Sequence, residues 1–197
     1  KYIYIDTGAM YRAMALKTKK LGFDYEDSEK VVSMIDSTII DQKIDQVSGD
    51  TKTYLDNEDV SSEIRTPEIS KSVTAVCEIK EVRENLVKIQ RDLGNKGNVI
   101  LDGRDIGTVV FPNADLKFFM IADVDIRAQR RFKELNNKGI SSLLEEIKAD
   151  IIRRDKRDSS RSNSPLKAAD DAILIDTSEL TIDEQVELIV NRIKEIS

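Results

Sequence analysis

Tyr2-Ile3-Tyr4-Ile5-Asp6-Thr7-Gly8-Ala9-Met10-Tyr11-Arg12 passes from β-favouring residues through a polar tripeptide into helical spacing. Residues 2–5 read as a short strand, and Met10, Ala13, Met14 and Leu16 as the inner face of a helix over residues 10–20. A strand leading into a helix is half of a βα unit, which points to parallel strands. Gly8 suits the intervening turn, but a plain connector has no need of Tyr11 and Arg12 on the first helical turn. Their use depends on where the other charged residues lie.

The same alternation recurs downstream. Residues 98–101, 116–122 and 172–175 are short, nearly continuous apolar runs. Helical spacing follows over residues 126–135, through Leu143, Leu144, Ile147 and Ile151, and through Ile182, Val186, Ile189, Val190 and Ile193. Ser142-x-x-Glu145 and Thr181-x-x-Glu184 read as capping boxes for the last two helices. Upstream, a helix is expected over residues 28–35. Thr66-Pro67-Glu68 is a helix start with Thr66 as N-cap. Val73, Val76, Cys77, Val82, Leu86, Ile89 and Leu93 then predict one long helix as far as Gly94. Between residues 38 and 61, short alternating runs around Ser48-Gly49-Asp50 predict antiparallel strands, an inserted subdomain.

The resulting fold class is α/β, a parallel sheet covered by helices on both faces with a small antiparallel β insert. Ligands of such sheets bind beyond the carboxyl ends of the strands. The polar turns at residues 6–8, 102–105 and 123–125 all fall at such ends.

Composition narrows the chemistry. The 197 residues contain no histidine, which excludes imidazole bases, Ser-His-Asp and Cys-His catalysis and most zinc sites. One cysteine, Cys77, excludes an internal disulfide framework and suits a reducing compartment, so a cytoplasmic location is expected. No apolar run approaches the ~20 residues needed to span a bilayer, and neither a membrane nor nucleic acid is expected as partner. A net charge of −6 with arginines clustered at residues 127–131 and 153–161 suits a compact anion better than a polyanion.

Asp102-Gly103-Arg104-Asp105 directly follows an apolar run. It reads either as a structural ion pair or as a site with Asp102 beside a Mg²⁺–phosphate complex and Arg104 on a phosphate, a task for which the guanidinium fork is suited. Arg153-Arg154-Asp155-Lys156-Arg157-Asp158-Ser159-Ser160-Arg161 reads either as a solvated helix face with i,i+4 pairs or as arginines on a closing flap, at a hinge where the serines and the following Asn163-Ser164-Pro165 break the helix. Arg127-Ala128-Gln129-Arg130-Arg131 is open between the same two readings, and Thr74 and Arg83 are unremarkable helix residues. With Asp6 and Asp102 lining one crevice, Arg12 supplies a cation and Tyr11 a flat surface, which suits a phosphorylated, ring-bearing substrate.

With these residues assembled, the sequence resembles the bacterial cytidylate kinases, of the nucleoside monophosphate kinase group of P-loop folds. The matching segments are YIDTGAMYRA, DVSSEIRTPEIS, LDGRDIGTVVFPNADLKFFM, IRAQRRFKEL and RRDKRDSSRSNSPLKAADDAILIDTS, spread from Tyr4 to Ser178. The resemblance implies a three-layer P-loop kinase-like sheet with core segments at residues 1–35, 93–126 and 164–197, a monophosphate-binding insert at 36–92 and a lid at 127–163. The implied reaction moves the γ-phosphoryl of Mg²⁺-ATP to CMP or dCMP in a monomeric enzyme. Arg104, Asp102 and Arg157 would be catalytic. Arg12, Arg104 and Arg161 would hold the CMP phosphate, with Thr7 and Tyr11 lining the acceptor site. Thr74, Arg83 and Asp105 would read the cytosine edge, and Arg154 and Asp158 would meet the ribose hydroxyls. Arg130, Arg131 and Arg157 would face the donor phosphates from the lid. Mg²⁺ would arrive with ATP, with no separate protein metal site.

One motif of that family is not found here. No G-x-x-x-x-G-K-[ST] occurs in the 197 residues, and that loop cradles ATP phosphates. The sequence starts at Lys1, where the family's second strand begins, so a leading segment is expected upstream and these residues alone are expected to be inactive. The alternative reading is a non-catalytic nucleotide-binding module.

Overall fold

In the computed structural model, which describes residues 2–196, β1 (Ile3–Asp6) runs into α1 (Thr7–Lys20) with no turn between them. Residues 1 and 197, the outer limits of the first and last expected core segments, lie outside the described residues. The expected polar turn at residues 6–8 is instead the helix start. Asp6 is the N-cap, its Oδ1 accepting from the Ala9 N–H at 2.7 Å. Small and flexible residues (Ala9, Met10, Ala13, Met14 and Ala15) let α1 pack deep in the core.

The chain divides into two compact units, Lys1–Phe111 and Pro112–Ser197. In the first, β1 pairs in parallel with β5 (Val99–Asp102), in a register that sets Asp6 opposite Asp102. The expected insert is present as an antiparallel sheet of β2 (Ile40–Ile44), β3 (Thr51–Leu55) and β4 (Glu58–Asp59). α2 (Ser28–Ser33) precedes it, followed by a 3₁₀ turn at Ile35–Ser37.

The single long helix expected after Pro67 is two helices, α3 (Pro67–Glu78) and α4 (Lys80–Gly94), separated by extended backbone at Ile79. Val76 and Val82 are both fully buried. Six residues apart, they would lie about 120° apart around a straight helix and would not face one core along a single line. Breaking the helix between them lets both do so. Thr66 is the N-cap as expected, and Pro67 opens α3. A π-helical turn, Ile106–Val110, follows the Asp102–Asp105 segment, where the sequence pattern had indicated no helix.

In the second unit, β6 (Phe118–Ile121) pairs in parallel with β7 (Ile173–Asp176), and α5 (Val124–Asn137) packs on α6 (Leu144–Ser160). Three expectations need correcting here. Ser142 does not cap α6: the helix starts one residue later, with Leu143 at the N-cap, and the Ser142 Oγ is buried without a partner. The 159–160 serines do not themselves break the helix, because α6 continues through Ser160 and carries Arg153, Arg154 and Arg157 inside it; the break follows at the C-cap Arg161, just before Asn163-Ser164-Pro165. The apolar stripe of α7 (Ile182–Ile196) is only half-buried at Ile189 and Ile193 and is exposed at Ile182, Val186 and Val190, Ile182 being 77% exposed. Its capping box forms as expected, the Thr181 N–H donating to Glu184 Oε2 at 2.8 Å and the Glu184 N–H to Thr181 Oγ1 at 3.3 Å.

The architecture is thus mixed α/β, with two parallel strand pairs and one antiparallel three-stranded sheet among the described residues. No helix of the described residues is long and apolar enough to cross a membrane.

Candidate functional site

The carboxyl ends of β1 and β5 gather most of the first unit's candidate residues. Asp6, besides capping α1, takes Arg12 Nη2 at 3.0 Å and Arg65 Nη2 at 3.6 Å on its other oxygen. Thr7, buried, donates from Oγ1 to the Asp102 carbonyl at 2.6 Å and ties the helix start to the neighbouring strand. Gly103 must lack a side chain, since a Cβ there would lie 2.5 Å from that same Thr7 Oγ1. Partial burial, and then the facing Asp6, push the Asp102 carboxyl above its ordinary value, against the pull of a hydrogen bond from Tyr4, of Arg104 and of Arg12. Burial and the same two aspartates push the Tyr4 hydroxyl up as well.

Arg83 and Asp105 are 3% and 5% exposed, and the guanidinium Nη2 donates to the Asp105 carboxylate. The Tyr11 ring lies over this pair, its centroid 5.3 Å from the Arg83 guanidinium carbon. Arg83 Nη1 also reaches the Cys77 carbonyl at 3.4 Å, at the end of α3, while its buried Nε has no hydrogen-bond partner among the described residues. Thr74, half-buried on α3, sits one turn before that end. Arg91, two turns further along α4 than Arg83, donates to the Val109 and Val110 carbonyls at 2.7 and 3.0 Å. Two arginines of one helix therefore hold the segment that carries Arg104 and Asp105.

The second unit holds a separate group. Asp158, buried on α6, receives Arg154 and Arg161 at 3.8 Å each. Arg161 is the C-cap residue. Its Nε donates to the Ser164 carbonyl at 2.6 Å, and its buried Nη2 has no partner among the described residues. Arg157 is exposed on the same helix. On α5, Arg130 donates to the carbonyls of Thr177, Ser178 and Leu180 at 2.6, 3.3 and 3.3 Å, and so holds the chain just after β7. Arg131 pairs with Glu134 at 2.6 Å.

The structure thus brings together Thr7, Tyr11, Arg12, Arg83, Asp102, Arg104 and Asp105 in the first unit, and Arg154, Asp158 and Arg161 in the second. Arg130 and Arg131 face protein groups. Sequence reasoning missed Gln42, Arg65 and Arg91. Arg65 lies in the quoted EIRTPEIS segment, where only the helix start was read, and Arg91 has the sequence signature of a solvated helix face. Among the described residues, no three acidic or cysteine side chains gather to hold a metal.

A family model described as cytidylate kinase matches residues 1–195. The chain is 50% identical over 190 residues to the cytidylate kinase of Clostridioides difficile, covering 96% of this chain and 85% of that one. It is 50% identical over 185 residues to that of Lactobacillus johnsonii, covering 94% and 80%. Similarity to the cytidylate kinase of Flavobacterium johnsoniae is 42% over 199 residues, covering 100% and 86%.

Proposed function

The chain belongs to the cytidylate kinase family, ATP-dependent enzymes that phosphorylate CMP and dCMP, and from that premise we propose how its residues serve the reaction. The observation that carries the reading is the buried Arg83–Asp105 pair under the Tyr11 ring, in the same unit as Arg12 and Arg104. Cytosine presents an amino donor where uracil presents a carbonyl acceptor, and a carboxylate accepts from the former and repels the latter. Asp105 therefore selects cytosine, Arg83 donates to the ring's acceptors through groups such as its unpartnered Nε, and Thr74 adds a hydroxyl.

Within the first unit, Arg12 and Arg104 grip the acceptor phosphate, with Thr7 and Tyr11 lining its site; Arg161 of the second unit carries a buried, unpartnered Nη2 suited to an anion. Arg154 and Asp158 serve the ribose hydroxyls. Arg157, with Arg130 and Arg131, belongs to the donor side. Arg130 releases its carbonyls of residues 177–180 if it does so. Phosphoryl transfer works mainly by positioning and charge stabilisation, so a site without histidine is sufficient, and arginines such as Arg104 offset the charge that builds on the transferring group.

Mg²⁺ bound with ATP would neutralise the donor phosphates. It commonly uses one or two carboxylates plus phosphate oxygens, which fits Asp102. We read the architecture as the three-layer P-loop kinase-like sheet, with residues 36–92 as the acceptor-binding insert and 127–163 as the lid. The working form is a cytoplasmic monomer, in keeping with its one cysteine.

Arg104→Ala tests the assignment in the complete enzyme. Coupled ATP-to-CMP kinetics should give a kcat/KM reduced about a hundredfold or more, with weaker CMP binding by calorimetry. Near-normal kinetics would remove Arg104 from the site.

A further inference from the structure

We propose that Gln42, on the antiparallel sheet, is a positioning residue for the phosphate grip of Arg12. This rests on the reading of Arg12 as a ligand of the acceptor phosphate.

Among the described residues, β1 is paired with a strand along one edge only, that facing β5. Backbone groups on its other edge still require partners. Gln42 Oε1 accepts from the Asp6 N–H at 3.0 Å, and Gln42 Nε2 donates to the Asp6 carbonyl at 2.8 Å. One side-chain amide thereby makes the two bonds that a directly opposed antiparallel residue would make. The N–H of Asp6 can only donate and its carbonyl only accept, so the amide has one workable orientation. Nε2 also donates to Thr53 Oγ1 at 3.2 Å, a buried hydroxyl on the next strand, which steadies that orientation. Thr51, on the same strand, donates from Oγ1 to the Tyr4 carbonyl at 2.9 Å.

Asp6 is where this matters, because strand becomes helix there and its carboxylate holds both the Ala9 N–H and Arg12. One carboxylate can aim at both only while its backbone is held. On the β5 side the hold comes from the strand register and from Thr7 on the Asp102 carbonyl. On the opposite side it comes from Gln42. The amide therefore links the antiparallel sheet to the Arg12 guanidinium through a single intermediary, Asp6. Neither an apolar side chain nor a carboxylate can supply the donor and the acceptor together.

The test is a double-mutant cycle in the complete enzyme, with CMP Kd from calorimetry and KM from coupled kinetics for wild type, Gln42→Leu, Arg12→Ala and the double variant. Gln42→Leu should weaken CMP binding about tenfold, the scale of two lost hydrogen bonds, and Arg12→Ala should weaken it further. In the double variant CMP should bind no more weakly than with Arg12→Ala alone. A merely structural role would instead weaken binding equally in both backgrounds, and that additivity would overturn the proposal. Wild-type affinity in Gln42→Leu, with Arg12→Ala impaired, would overturn it while leaving the site reading intact. Wild-type affinity in Arg12→Ala would overturn the reading of Arg12 itself and this inference with it. If Gln42→Leu melts without cooperativity, Gln42→Met goes through the same cycle.

Discussion

Arg83 on α4 and Arg154 on α6 are both helix arginines paired with an aspartate, and their settings differ. The Arg83 side chain is 3% exposed, and its partner Asp105 comes from a different element, 22 residues away. The Arg154 side chain is 56% exposed, and its partner Asp158 is one turn along the same helix. The first pair is fixed by burial and by the ring of Tyr11. The second is an i,i+4 contact at 3.8 Å whose arginine reaches water while its aspartate is buried and also faces Arg161. On the roles proposed above, the difference separates recognition of a rigid base, which requires preformed geometry, from contacts to ribose, which charge and reach can supply.

Breaking the first pair should have the largest effect. Asp105→Ala leaves a guanidinium buried without its counter-ion and should cost about 3–5 kcal/mol of stability by urea unfolding. The surviving enzyme should lose preference for CMP over UMP more than it loses phosphate affinity. An unchanged CMP:UMP ratio would separate Asp105 from base selection.

A smaller effect is expected at Asp102. Its folded-state carboxyl is raised above the unfolded value, so ionisation opposes folding. This penalty is absent below the ordinary carboxylate range, where both states are protonated, and is fully present above the raised value. Asp102→Asn should therefore melt higher than wild type at neutral pH while losing transfer activity, and the gap should close in acid. A gap that persists in acid would mean that the charge of Asp102 is not what the fold resists.

The smallest stability effect belongs to α6. Arg154→Ala should cost only about 0.3–0.5 kcal/mol, the scale of an exposed i,i+4 pair, while KM for CMP rises. A loss as large as that of Asp105→Ala would erase the contrast between the two pairs.

Much of this was legible in the residues. The alternation of strands and helices, Thr66 and Thr181 as caps, the antiparallel insert and the family motifs all depend on spacings of two to four residues or on contiguous runs, which a sequence displays directly. The absence of histidine likewise excluded imidazole chemistry before any coordinates were considered. The break at Ile79 was not legible, because helical spacing continues on both sides of it and only the shared burial of Val76 and Val82 requires the turn. Ser142 had the letters of a capping box, but the packing of α6 started the helix one residue later. The partners of Arg83, Arg91, Arg130 and Gln42 lie 6 to 50 residues away, several of them backbone carbonyls that every sequence position possesses. Local preference therefore determined which elements form and what chemistry they can carry. Only the tertiary structure decided which charge meets which partner, because a hydrogen bond between distant residues depends on the path of the whole chain between them.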